Sequence, residues 1–587
     1  MKESLIDVLS NYLKKALLEA YPDLAENQNV FVEIAQATQE KYGHFQFNSA
    51  MKLAKLLGAS PRVIAEAIVA RLNAMPPGSH PIAHLEIAGP GFINITLSSE
   101  YISRIVNTQL VEPHFGIPYP EHKQRIVIDF SSPNTAKEMH VGHLRSTIIG
   151  DCLARLFEFL GHDVLRLNHV GDWGTSFGML IAYMKEMAPT VVSGNEEIDL
   201  LGLMNHYKAA KARFDADATF KKVAQLEVVK IQGGDQESLM TWQMICDVSR
   251  KAYQQIYDLL DVKIIERGES FYNPLLPGLV AELEAKELVS LSDGAKCIFV
   301  EGFFNRNGDP LPLMIQKADS GYNYDTTDMA AIRQRIQEEK ADRLIYVTDA
   351  GQGTHFQQIF KAAEMAGYLD RKKVAVDHVP FGLVLGADGK KFRSRAGDTE
   401  RLIDLLTTAV DYADKILIER SPELDDPERH KLAQALGIGA VKYADLCCHR
   451  TGDYTFSYER MLRFEGNTAA YLMYSYVRVA GIKRKVGADL EALKKEGYIT
   501  LEHSSEIALG LQLAQFNNTL QQLAKDLLPH HLTDYLYTLA EKFNAFFRDC
   551  RVEGTTQETS RLLLCEAVAQ TLRQGLTLLG VKVVEKM

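Results

Sequence analysis

Along this chain the spacing of hydrophobic positions changes period several times, and each change marks a new element. The opening stretch places Leu5, Ile6, Leu9, Leu13 and Leu17 at helical spacing with charges between them. That pattern predicts an amphipathic helix, not the unbroken apolar run of a signal peptide. Helical patterns over roughly 48–73, with strand-like FVEIAQA and HLEIAGPGFINITLS, predict a small α+β unit over residues 1–110. EPHFGIPYPEHKQ reads as a linker. QRIVIDF (124–130) is then a short apolar run of β-formers, and SSPNTAKEMHVG is a loop broken by Pro133. After it Leu144, Ile148, Ile149, Leu153, Leu156 and Leu160 recur at helical spacing up to Gly161, and DVLRLNHV is the next strand. Such a strand–loop–helix–strand unit builds a doubly wound parallel sheet.

The segment from about 190 to 290 is mostly helical and looks inserted. Beyond it KCIFVEG and LPLMIQKA read as strands that resume the alternation, followed by MAAIRQRIQEE (helix), RLIYVTDA (strand) and FQQIFKAAEMAGY (helix). From about 456 every segment is amphipathic helix, at 467–485, 503–528, 532–548 and 559–579, which predicts a bundle. The expected architecture is multidomain α/β. It has an N-terminal α+β domain (1–110), a split Rossmann-like doubly wound domain (120–455, insertion at 190–290) and an all-α C-terminal bundle (456–587).

Composition narrows the picture only modestly. A chain of 587 residues exceeds one hydrophobic core. Contents of 46% hydrophobic and 24% charged residues exclude a disordered chain. No apolar run approaches the roughly 18 residues of a membrane span, so no membrane association is expected. Seven scattered cysteines without a CxxC pair predict reduced thiols, no structural zinc and a cytoplasmic location. The net charge of -11 argues weakly against a nucleic-acid partner, but phosphate binding follows local patches. One such patch, 371–395, holds seven cations against two acids, a net +5.

Three constellations carry candidate chemistry. HVGH (140–143) lies at a strand-to-helix junction, where a helix start offers unpaired N–H groups and partial positive charge to a polyphosphate. Gly142 permits close approach, His140 and His143 can donate hydrogen bonds, and Lys137 adds a charge. Read alone, a histidine pair near a helix start is more often structural. GADGKKFRSRAG (386–397) is a Gly-rich loop whose Lys390, Lys391, Arg393 and Arg395 suit a phosphate chain, or equally a solvated turn. Asp129, Tyr324, Asp328 and Gln352 fall at the ends of strands or the start of a helix, where carboxylates and a phenol suit a guanidinium. Blind, Asp328 reads as a helix-capping acid and Tyr324 as a core ring.

Together these segments resemble class I aminoacyl-tRNA synthetases, and the arginine-specific family in particular. SSPNTAKEMHVGHLRSTIIGD is similar to that family's extended HIGH segment, with the region Pro133-Asn134-Thr135-Ala136-Lys137-Glu138-Met139-His140-Val141-Gly142-His143 at its centre. NHVGDWGTSFG, RGESFYNP, GYNYDTTDMAA, GLVLGADGKKFRSRAG and KYADLCCHRTGDYTFSYERML also resemble family signatures. The resemblance implies that His140, Gly142 and His143 hold ATP with Lys391, Arg393 and Arg395, and that His140, His143 and Lys137 serve catalysis. Lys137 stands in for a lysine missing from the usual KMSKS loop. It implies that Asn134 and Gln352 take the α-amino group of arginine, that Asp129, Tyr324 and Asp328 read its guanidinium, and that His169 lines the pocket. It further implies tRNA contacts by Phe92 and Asn94 at the elbow and by Tyr471, Tyr474, Phe547 and Met587 at the anticodon. The implied substrates are ATP with Mg2+, L-arginine and tRNA(Arg), with no metal held by the protein itself, and a monomer is expected. A tRNA-free nucleotidylyltransferase also uses HxGH but would leave the C-terminal bundle without a task. A non-catalytic tRNA-binding relative would not need HVGH, Lys137 and the basic loop intact.

Overall fold

The computed structural model describes residues 4–26, 32–76, 78–392, 400–487 and 489–587. The chain begins with α1 (Leu5–Ala20), whose N-cap Ser4 and N3 Asp7 form a reciprocal capping box. It buries Leu5, Leu9, Leu13 and Leu17, the stripe read from the sequence. Strands β1 (Ile34–Gln36) and β2 (Phe45–Phe47), helices α2 (Ala50–Leu57) and α3 (Pro61–Asn73), strands β3 (Ile82–Ala88) and β4 (Phe92–Leu97), and helix α4 (Ser99–Val111) follow. The four strands pair antiparallel in the order β1-β2-β4-β3.

The second sheet is parallel throughout. Its first three strands are β5 (Arg125–Asp129), β6 (Asp163–Asn168) and β7 (Ile265–Glu266). Helix α5 (Val141–Phe159) links β5 to β6. Between β6 and β7 come α6 (Thr175–Met187), α7 (Pro189–Val192), α8 (Leu200–Ala216), α9 (Ala218–Gln232) and α10 (Gln236–Leu259). These helices have a small core of their own around Met179, Ala210 and Phe220. After β7 the chain forms α11 (Glu269–Tyr272), α12 (Leu276–Ala285), β8 (Ser290–Ser292), β9 (Ala295–Phe304), β10 (Pro310–Gln316) and α13 (Tyr324–Gln337). It then returns to the far side of β5 through β11 (Arg343–Asp349), α14 (Gly353–Met365) and β12 (Ala375–Phe381). The order β12-β11-β5-β6-β7 is that of a doubly wound sheet. Both faces are covered: Ile126, Ile128, Ile345 and Val347 enter one core, while Val127, Leu344 and Tyr346 enter another. Burial on both sides is why these strands read as continuous apolar runs.

One expectation needs adjustment. β9 and β10 do not resume the parallel sheet but pair antiparallel with each other, and β9 also with β8, in a sheet of their own. Only a short turn separates them, closed by the Asn305 N–H on Asp309 O (2.8 Å). A turn of that length can join antiparallel but not parallel strands.

The remaining elements are β13 (Val384–Leu385), α15 (Leu402–Arg420), α16 (Asp426–Leu446), β14 (Tyr454–Thr455), α17 (Tyr458–Met461) and the helices α18 (Ala469–Val486), α19 (Leu490–Glu496), α20 (Ser504–Ala514), α21 (Phe516–Asp526), α22 (His530–Asp549) and α23 (Glu558–Leu578). A fully buried ion pair, Arg145 on α5 with Asp445 on α16 (3.1 Å), ties the sheet's first helix to this C-terminal half. Arg145 also donates to Gly452 O (3.0 Å). Arg145→Leu is expected to lower stability by roughly 3–5 kcal/mol in chemical denaturation, because Asp445, whose carboxyl burial already pushes up, would lose its cation. Adding Asp445→Leu should recover part of the loss; equal stability of both variants would show that the pair is not what matters.

Candidate active site

β5 pairs with β6 on one side and β11 on the other, so strand order reverses around it. The crevice at such a reversal, beyond the carboxyl ends of the strands, is where these sheets take ligands. Leaving β5, the chain passes through three non-glycine residues with positive φ: Ser131 (71°), Ser132 (48°) and Ala136 (60°). Each such position costs about 1–3 kcal/mol and persists only where its surroundings hold it. Here the Ser132 N–H donates to Asn168 Oδ1 (2.9 Å), Ser131 Oγ bonds the Tyr257 hydroxyl (2.8 Å), and the Ala136 N–H donates to Ser249 Oγ (3.0 Å). Thr135 N–H meets Gly171 O and Gly171 N–H meets Pro133 O, both at 3.0 Å. Gly171 must lack a side chain, since a Cβ there would lie 2.2 Å from Asn134 Oδ1.

This turn delivers His140 as the N-cap of α5. His140 Nδ1 accepts the Gly142 N–H (3.1 Å), and His143 Nδ1 accepts the His140 N–H (3.0 Å). With Nδ1 occupied as an acceptor, each neutral ring carries its proton on Nε2. Burial, then the charge of Lys391, lowers the proton affinity of His140. Burial, then His140, pushes His143 down to about 3. Both rings are therefore neutral donors near pH 7, set at the partial positive charge of a helix start. The influence of Lys391 on His140 brings the basic loop to HVGH, while Arg393 and Arg395 lie outside the described residues.

The acids behave differently from the vacant pair read in the sequence. Asp129 Oδ2 is already bound by Arg335, a fully buried residue from the last part of α13, at 2.7 Å. Its Oδ1 accepts from Ser132 Oγ (3.0 Å). Asp129, expected at the substrate guanidinium, thus already pairs with an internal one. Arg335 also lies 3.4 Å from His169 Nδ1, and the His169 ring stacks on Tyr272. Asp328, one turn into α13, accepts from His355 Nε2 (2.6 Å), whose Nδ1 meets Asp325 at 3.3 Å. Burial opposes charge on His355, but the bonds to Asp325 and Asp328 override it and push its pKa up to about 9. Burial would raise the Asp328 carboxyl; the His355 bond and charge hold it below the usual range. Tyr324 is 61% exposed, edge-on to His355 at 5.1 Å, and Gln352 caps the helix that carries His355.

Three residues escaped the sequence reading. Arg335 and His355 sit in ordinary amphipathic helix patterns, which give no sign of a buried cation. Glu269, inside the RGESFYNP segment, follows β7. Burial, then Asp328 and Asp172, push its carboxyl up to about 8.

The residues expected to meet tRNA divide. Phe92 is half-buried at the start of β4. Asn94 is only 4% exposed and accepts from Gln46 Nε2 (2.8 Å), so its expected direct contact is corrected to a role inside the sheet. On α18, Tyr471 bonds Glu541 and accepts from Asn544 (2.7 Å), whereas Tyr474 is 46% exposed. The Arg478 guanidinium lies over the exposed Phe547 ring (4.3 Å), and Met587 is half-buried against the core.

Sheet order, the HVGH turn and the helical C-terminal half define a class I aminoacyl-tRNA synthetase. The family model for tRNA synthetases class I (R), catalytic domain, matches residues 106–458. The DALR anticodon binding domain matches 472–587, and the arginyl tRNA synthetase N terminal domain matches 7–97. The chain is similar to arginine–tRNA ligases of Protochlamydia amoebophila (65% identity) and Chlamydia caviae (49%), with 100% of each chain covered. It is similar in structure to arginyl-tRNA synthetase from Plasmodium falciparum, at a TM-score of 0.87 and 33% identity with both chains fully covered. The chain belongs to the arginyl-tRNA synthetase family. It activates L-arginine with ATP to arginyl-adenylate and pyrophosphate, then transfers arginine to the terminal adenosine of tRNA(Arg). No helix among the described residues is long and apolar enough to cross a membrane.

Glu269 makes a pH prediction. A carboxyl with pKa near 8 is largely protonated at pH 6.5, and a cationic ligand nearby favours its ionised form. Arginine binding should therefore release protons and tighten as pH rises from 6 to 8. Glu269→Gln should flatten that slope in titration calorimetry; an unchanged slope would place the proton release elsewhere.

Proposed function

We propose that the turn after β5 joins the two substrates: HVGH takes the nucleotide phosphates while Asn134 and Gln352 take the α-amino group of arginine. Tyr324 and Asp328 read the guanidinium, and Asp129 and His169 support the pocket through Arg335. Lys137 and Lys391, with Arg393 and Arg395 further along the loop, supply positive charge to the phosphates. The observation that carries this reading is the pair of neutral imidazoles at the start of α5, within electrostatic reach of Lys391.

In the first step the arginine carboxylate attacks the α-phosphorus and pyrophosphate leaves. The nucleophile is already an anion, so no general base is required. The protein's task is to align the reactants and stabilise charge growing on the phosphate oxygens. Magnesium enters with the nucleotide, held by phosphate oxygens. The side chains lining the space beside HVGH include the cations Lys137, Lys208 and Arg401 together with the acids Glu138 and Glu400. In the second step the terminal ribose 2′-OH attacks the adenylate carbonyl and AMP leaves. Lysine cannot offer two parallel N–H donors to Asp328, and citrulline lacks the charge, so either leaves a buried acid poorly paired.

The N-terminal domain over 1–110 meets the tRNA elbow, with Phe92 a contact. The helices beyond 456 bind the anticodon, where Tyr471, Tyr474, Phe547 and Met587 offer stacking or apolar surface. The chain works in the cytoplasm as a monomer, in keeping with its free thiols.

Arginine-dependent ATP–pyrophosphate exchange, run with tRNA(Arg) present, tests the assignment. His143→Ala should lower kcat by about 10²–10³-fold, the usual loss for removing one oxyanion donor, with the melting temperature nearly unchanged. Exchange at the parental rate would remove HVGH from the phosphate site. Tyr474→Ala should raise the KM for tRNA in aminoacylation about tenfold, as expected for a lost base stack, and leave the KM for arginine unaltered; the reverse pattern would move this ring out of the anticodon interface.

A further inference from the structure

The inserted helices, which leave the sheet after β6, converge on the turn after β5. Tyr253 of α10 shares its hydroxyl proton between Asn134 O and Lys137 O, each at 2.7 Å. Ser249, one turn earlier on the same helix, accepts the N–H of Ala136, a residue with positive φ. Tyr207 of α8 places its ring 5.4 Å from Lys137 Nζ, within range of an ammonium–ring attraction. A cavity of about 270 Å³ lies between the two, lined by Lys137, His140, Met204, Tyr207 and Arg401. A lysine is a point charge on a flexible four-carbon stem. A ring face that collects the ammonium at a cavity His140 also lines, and a hydroxyl that fixes the backbone beneath it, remove much of that freedom before substrate arrives.

We propose that the helical insertion braces the catalytic turn, with Tyr207 and Tyr253 the positioning residues that hold Lys137 at the cavity His140 also lines. Neither residue touches the reacting atoms. Their effect passes through Lys137, and the inference rests on that lysine being a phosphate-binding cation.

A double-mutant cycle on pyrophosphate exchange, with tRNA(Arg) present, tests this. Tyr207→Leu should lower kcat about tenfold with little change in the KM for arginine, and Tyr207→Phe should recover most of that loss because it keeps the ring face. In a Lys137→Ala background, Tyr207→Leu should change nothing further. A Tyr207→Leu enzyme within twofold of the parent, or a full tenfold loss added on top of Lys137→Ala, overturns the proposal. Parental exchange by Lys137→Ala alone would instead remove that lysine from the phosphate site, and the proposal with it. Should Tyr207→Leu not fold, Tyr253→Phe carries the test. It loses one hydroxyl and keeps the ring, and it should reduce kcat in the parent but not in the Lys137→Ala background; a parental kcat overturns the proposal.

Discussion

The molecule is organised around one backbone constraint: a strand must end and a helix begin within a dozen residues, through a turn that ordinary residues resist. Ser131, Ser132 and Ala136 all take positive φ. At about 1–3 kcal/mol each, the turn could not survive on local preference. Asn168 and Gly171 from the end of β6, Ser146 from α5, and Ser249 and Tyr257 from α10 supply the bonds that fix it. The parallel sheet, the helix it feeds and the inserted helices thus meet at one short segment. That segment fixes where the helix start and its two imidazoles point.

Electrostatics divide the crevice into two halves of different character. The side proposed to take the phosphates offers neutral N–H donors and lysine charge, because burial keeps both histidines unprotonated. The amino-acid half holds buried carboxylates, which would be costly without partners. Arg335 and His355 are those partners. The His355 bond and charge hold the Asp328 carboxyl low, and Asp129 is paired with Arg335.

Much of this was legible in the sequence where local pattern determines structure. QRIVIDF, the 144–160 periodicity and DVLRLNHV gave β5, α5 and β6 to within three residues, because doubly buried strands and a long helix have strong periodicity. HVGH could be placed at the helix start for the same reason. Long-range partnerships were not legible. Nothing in MAAIRQRIQEE distinguishes Arg335 from a solvated arginine, yet it fills Asp129 from about 200 residues away. β7 is two residues long, too short for a periodic signal, so the return of the chain to the sheet beside Glu269 was invisible. The separate β8–β10 sheet was missed because an apolar run does not name its partner.

A crystal structure of the enzyme with a non-hydrolysable arginyl-adenylate analogue is the most direct test of how the turn joins the two substrates. The α-amino group should lie on Asn134, the guanidinium on Asp328, and the phosphoryl mimic at the start of α5 against His140 and His143. A guanidinium seated away from Asp328, or a phosphoryl mimic remote from the two imidazoles, would contradict it.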